Sequence, residues 1–186
     1  MRFLVRLKAI GVPADTLVAA VRTIAGTLGA DPRNPKWTSY GALELDVFSR
    51  NKLDFTLFLT AVEPLAQVEF TRDLNVARPY IPEAALYSEA RELFNAERYW
   101  ECHEVLEGVW RTKQGEEKKL LQGVILVCAA FVHHQKKEGN VAMGVLLRSQ
   151  PLLQSARAQV AGIDLLRLRR DVQAIADGGT FRNFRV

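Results

Sequence analysis

The sequence predicts an α+β chain in two parts: a ferredoxin-like βαβαβ domain, then an antiparallel all-α helical bundle. Three observations carry the prediction. Before residue 76, three stretches alternate apolar and polar residues, with helix-spaced segments between them. Pro79 and Pro82 then punctuate the chain. Beyond Glu83 nothing alternates, and apolar residues recur at three- and four-residue intervals between short polar turns. The expected limits are 1–76 for the α+β domain, 83–178 for the bundle and 179–186 for a tail.

The first strand is read from residues 3 to 10, where Phe3 to Leu7 alternate. Pro13 and Asp15 open a helix carrying Leu17, Val18, Val21, Ile24 and Leu28, and Gly29 closes it. Asp31 to Pro35 reads as a turn rich in Pro, Asp and Asn. Residues 37 to 48 alternate again, with Leu43, Leu45 and Val47 on one face and Glu44 and Asp46 on the other. Asn51 is a helix cap ahead of Leu53, Leu57, Ala61 and Leu65, and Pro64 marks that helix's end. Ala66 to Leu74 supplies the last strand. This order suits the split-βαβ plan, although one of its usual four strands has no counterpart in the reading. Asn75 to Pro82 is the expected linker.

In the second part, helices are expected at about 83–95, 97–112, 117–137, 140–160 and 163–177. Short connections make them antiparallel neighbours. Asn95 to Tyr99 and Lys136 to Asn140 form a weak internal echo, each separating two helices. The tail, Gly178 to Val186, is expected to be mobile or to lie on the surface.

Composition narrows the function classes. Hydrophobic residues make up 48% and charged residues 25%, as in a globular protein rather than a disordered one. The formal charge is +4, and residues 1–82 carry 10 Lys and Arg against 8 acids. Positive charge is therefore spread along the chain, and this distribution gives no support to nucleic acid as a partner. No apolar run approaches the roughly 18 residues of a spanning helix, so no membrane role is expected. Cys102 and Cys128 lie in helical stretches without a Cys-x-x-Cys pattern, and core packing in a reducing cytoplasm is the expected role.

Chemistry concentrates in Tyr99 to Arg111. At about 100° per residue, Tyr99, Cys102, Val105, Leu106, Val109 and Trp110 form the buried arc. His103 and Glu107, four apart, sit at its polar margin, with Trp100, Glu104 and Arg111 beyond and Glu101 turned away. If the next helix folds back, Gln122 falls near Glu107 and Leu126 near His103. His133 lies about 16 Å further along that helix and belongs to the bundle's other end.

Two readings follow. One is a divalent metal held by His103 and Glu107, with Glu104 as ligand or as the general base of a metal-assisted hydrolase. His-Glu-x-x-His is not met, because Glu107 stands at its last position. The other is a polar network or ligand pocket formed by Tyr99, His103, Glu107, Trp110, Arg111 and Gln122, in which Glu107 orients His103 and bonds Gln122 or Arg111. His133 and His134 form a helix-end cation cluster with Lys136 and Lys137. Arg167, Arg169, Arg170, Arg182 and Arg185 are within the chemistry of phosphate contact, but a solvated face is the commoner explanation of such a run. No Gly-rich phosphate loop or Gly-x-Ser-x-Gly elbow occurs.

The run Leu93 to Trp110, then Leu121 to Ile125 and Gly139-Asn140, resembles the family catalogued as domain of unknown function 309. The resemblance covers about residues 88–160. It carries over to Asn95, Tyr99, Glu101, His103, Glu104, Glu107, Trp110, Gln122 and Asn140, and implies a helical fold without naming a reaction. Glu97 stands where the family tends to have glycine, and Leu126 where a second glutamine is common. The leading expectation is a ligand-binding or regulatory protein, with the α+β half supplying self-association or recognition. A metal-assisted hydrolase and an RNA-associated protein are the alternatives.

Overall fold

A computed structural model describes residues 1–76 and 80–186, so the 77–79 part of the expected linker lies outside the described residues. The chain divides into two compact units, Met1–Pro79 and Tyr80–Val186.

The first unit runs β1 (Arg2–Ala9), α1 (Ala14–Thr27), β2 (Ala30–Trp37), β3 (Ala42–Ser49), α2 (Lys52–Val62) and β4 (Ala66–Asp73). Its antiparallel sheet has the order β2-β3-β1-β4, the split-βαβ arrangement. Phe3, Val5 and Leu7 of β1 and Leu43, Leu45 and Val47 of β3 bury one face with Leu17 and Val21 of α1 and Phe55 and Phe58 of α2. Each such side chain contributes about 1.5–3 kcal/mol by leaving water. On β3's other face, Glu44 pairs with Lys36 at 2.8 Å and Arg6 at 2.9 Å. Asn51 caps α2 as expected, its side chain accepting from the Asp54 amide at 2.8 Å.

One element differs from expectation. Asp31 to Pro35 is not a turn but the middle of β2, the strand that completes the sheet. β2 lies at an edge, where a missing proline N–H need not break a ladder. Its register with β3 shifts between Arg33 and Lys36, and Asn34 there adopts φ 53°, which asparagine tolerates.

The second unit contains α3 (Glu83–Asn95), α4 (Tyr99–Trp110), α5 (Gly115–Gln135), α6 (Gly139–Ser149) and α7 (Leu165–Gly178). The helix expected over 140–160 stops at Ser149, where Pro151 enters a 3-10 turn, Gln150–Leu152. A small hairpin follows, β5 (Gln159–Val160) and β6 (Ile163–Asp164), so the second part is not wholly helical. Ala161 and Gly162 link its strands at φ 52° and 71°, the mirror-type turn that matches strand twist. Asp164 then caps α7 by accepting from the Arg167 amide at 3.0 Å. No helix among the described residues is long and apolar enough to cross a membrane.

The tail is anchored where it meets the bundle. Phe181, Phe184 and Val186 pack against the bundle core. The Asn95 side chain brackets the Val186 backbone with bonds of 3.1 and 3.0 Å.

Candidate functional site

The polar helix is α4, and its entry turn depends on Glu97. That residue sits in the left-handed region at φ 57°, so the turn expected from glycine forms with a glutamate bearing the strain. α4 then buries Tyr99, Cys102, Val105, Leu106 and Val109, as its helical spacing predicts. Cys102 Sγ lies 3.3 Å from Cys128 Sγ of α5. Lys118 Nζ lies 4.4 Å from the Trp110 ring centroid. These two contacts, at opposite ends of α4, set α5 antiparallel to it.

Tyr99 belongs to the core rather than to the polar face. It is 1% exposed, and its ring packs at 5.0 Å against Phe94 and at 4.7 Å against Phe131. Burial pushes its hydroxyl well above the ordinary tyrosine range.

His103, Glu104 and Glu107 come together. One donor atom from each lies within 4.8 Å of the others. The His103 ring stacks on Trp100 with centroids 5.5 Å apart and planes 7° apart, which fixes its plane. His103 Nδ1 is buried and has no hydrogen-bond partner among the described residues. The nearest carboxylate oxygen, Glu104 Oε1, stands off at 3.7 Å, beyond a hydrogen bond. Glu107 does not orient the imidazole through that nitrogen. Its Oε1 instead accepts from Arg111 Nη2 at 3.1 Å.

Trp110 ends the stretch. Its ring is half-buried beneath Lys118, and Nε1 is buried without a hydrogen-bond partner among the described residues. Gln122 is exposed on α5. Arg111 places one cation on Glu107, and Lys118 places another over the Trp110 ring.

Glu101 corrects the sequence reading. It was expected to turn away, yet it is 4% exposed. Arg98 grips both of its oxygens, at 2.6 and 2.7 Å. A bidentate guanidinium and the positive end of α4 together offset the cost of burying the carboxylate. The signal was present as Arg98-x-x-Glu101, an i,i+3 pair at a helix start.

At the other end of the bundle, His133 Nδ1 contacts Glu138. The His134 ring stacks on Phe181 with centroids 4.7 Å apart. Neither approaches a set of three metal-type donors among the described residues.

A metal ion sets demands this geometry nearly meets. Donors about 2.1 Å from a tetrahedral zinc stand about 3.4 Å apart. Closing the set from 4.8 Å needs a shift of about 1 Å in the two glutamates. The Glu104 side chain is 52% exposed and can turn toward His103, whereas Glu107, 33% exposed, would exchange its Arg111 contact for the ion. Three protein ligands leave at least one coordination position for water or a ligand atom.

Comparison with known proteins follows the same helices. Residues 87–145 match the family model described as Domain of unknown function (DUF309). An uncharacterized protein of Aquifex aeolicus (strain VF5) is 35% identical over 96 residues, which cover 50% of this chain and 28% of that protein. The match thus spans little more than a quarter of that curated relative. A conserved hypothetical protein from Thermus thermophilus, known from a crystal structure, is 34% identical. That match covers 53% of this chain and 99% of the other, with a TM-score of 0.43. Through its helical half, the chain belongs to the family described as Domain of unknown function (DUF309).

Proposed function

We propose that the protein is a ligand-binding module whose site is the polar face of α4. The ligand is a divalent metal ion taken by His103, Glu104 and Glu107. The single observation that carries this reading is the His103 Nδ1 atom, buried without a hydrogen bond beside two carboxylates. A buried ring nitrogen normally has a partner, and leaving one without a partner costs about 1–3 kcal/mol. A metal supplies the missing partner, and the Trp100 ring holds the imidazole plane ready for it.

One imidazole with two carboxylates suits zinc, manganese or iron more than calcium or a thiolate-seeking ion. Arg111, 3.1 Å from Glu107, and Lys118, over the Trp110 ring three residues on, favour an anionic second ligand at the open position.

The test is calorimetric titration of chelator-treated protein with zinc and with manganese, checked by elemental analysis for one ion per chain. His103→Ala is expected to weaken binding at least about tenfold, by analogy with the loss of a supporting group at other metal sites. Glu107→Gln should weaken it while leaving the helical circular dichroism spectrum unchanged. Wild-type affinity in His103→Ala, or no ion bound by the wild type, overturns the reading.

A further inference from the structure

A groove crosses the outer face of α7, outside residues 87–145 and away from α4's polar face. Its first lobe is a cleft of about 260 Å³ between α7 and the turn that follows α6. The second lobe continues on the other side of Arg170 and Gln173, which line both.

The floor of the first lobe is rigid and apolar. Leu153 is fully buried and seats against Gly123 of α5, where an added Cβ would come within 2.8 Å of it. Val172 is 1% exposed beside it. At the lip, Leu166 is 60% exposed, a large apolar side chain that α7 leaves without cover.

The rim is cationic and amide-rich, and no carboxylate lines this lobe. Arg169 is already committed, donating to the Leu165 carbonyl at 3.1 Å and the Ser155 carbonyl at 3.0 Å. Gln150 donates to Gln173 at 2.9 Å, and Gln173 donates on to Asp177 at 2.7 Å. In the second lobe Asp171 faces Arg167 at 4.0 Å. Arg170 is different. It is exposed, and no carboxylate lies within ion-pair distance of it among the described residues.

We infer that this groove binds a small organic anion, a carboxylate on an apolar body, with Arg170 as its counter-ion, Leu153 and Val172 beneath it and Leu166 at its lip. At about 30 Å³ per heavy atom, the share of a water molecule in the liquid, the cleft seats about nine atoms. A planar guanidinium accepts a carboxylate through two parallel hydrogen bonds. The apolar floor rewards a body that leaves water. A free phosphate satisfies the first demand and not the second, so the groove discriminates against inorganic anions.

Sodium phenylacetate is the probe, titrated into the isotope-labelled full chain and followed by amide chemical shifts. Shifts are expected to concentrate in residues 150–154 and 166–173. Arg170→Gln, an exposed change that leaves the fold intact, should weaken binding about fivefold, the scale of one exposed ion pair. The neutral analogue phenylacetamide should bind the wild type more weakly by a similar factor. Arg148→Gln on α6 should bind as the wild type does. Shifts scattered over the chain, equal binding of acid and amide, or unchanged affinity in Arg170→Gln would overturn the inference. So would an equal loss in Arg148→Gln, which would mark a general effect of net charge.

Discussion

Cys102 and Cys128 bring two thiols to 3.3 Å inside the bundle, at 1% and 0% exposure. The contact with Cys128 and burial both push the Cys102 thiol upward, so almost no thiolate is present at neutral pH. We predict that both thiols ignore Ellman's reagent in the native protein and react with two equivalents once urea unfolds it. Fast reaction of the native protein would show that α4 and α5 part readily. His103, one residue along, meets the opposite condition: it lies at the helix margin, with a buried nitrogen and two carboxylates nearby. Adjacent positions on one helix thus take unlike roles because a step of about 100° carries the side chain from core to rim. That much was legible, since it needs only helical periodicity. The same periodicity puts Tyr99 in the buried arc, yet Tyr99 also counts toward a pocket, because an aromatic hydroxyl at a helix start suits a pocket wall and a core equally. Its three-ring contact with Phe94 and Phe131 decides the matter, and those residues lie on other helices.

At the level of elements, the turns into α4 and α6 share one device. Glu97 and Lys137 adopt φ 57° and 63°, and the amide of each donates back to the carbonyl three residues earlier, Phe94 and His134. Gln135 also donates to the Glu97 carbonyl at 2.9 Å. The weak echo in the sequence therefore corresponds to a repeated turn geometry. A left-handed L-residue costs about 1–2 kcal/mol relative to the right-handed form, while glycine pays in unfolded-chain entropy. Glu97→Gly is expected to stabilise the bundle by roughly 0.5–1 kcal/mol net of that entropy. A urea midpoint that rises at unchanged slope would register it, and a fall would mean the glutamate side chain contributes more than the strain removes. Elements misread from sequence have related causes. β2 was hidden because Pro32, Asn34 and Pro35 are turn residues by local preference, and only the neighbouring β3 makes them a strand. The expected helix over 140–160 ran past Pro151 because apolar residues continued beyond it, yet those residues fill the floor under α7 instead. Where tertiary partners override local preference, periodicity alone misplaces the boundary.

For the whole molecule, the decisive fact is that each unit has its own core. One buried cluster draws on Phe3 to Ala66, the other on Ala90 to Ile175, and none of the described residues belongs to both. The second cluster joins α3, α4, α5, the hairpin and α7, with the tail's Phe181 and Phe184 packed on it. A core of that extent within Tyr80–Val186 falls in the size range at which single domains hold themselves folded. We therefore predict that a fragment spanning residues 80–186 folds alone, with a helical circular dichroism spectrum and one cooperative thermal transition. Because His103, Glu104 and Glu107 all lie on α4, the fragment should also bind zinc with the affinity of the full chain. The two readouts separate two failures. A broad, uncooperative transition with binding of a hydrophobic dye would show that the bundle needs the α+β unit to fold. A cooperative transition with metal affinity lost relative to the full chain would show that the α4 site draws a ligand from outside the bundle, and the donor set would have to be sought on the first unit.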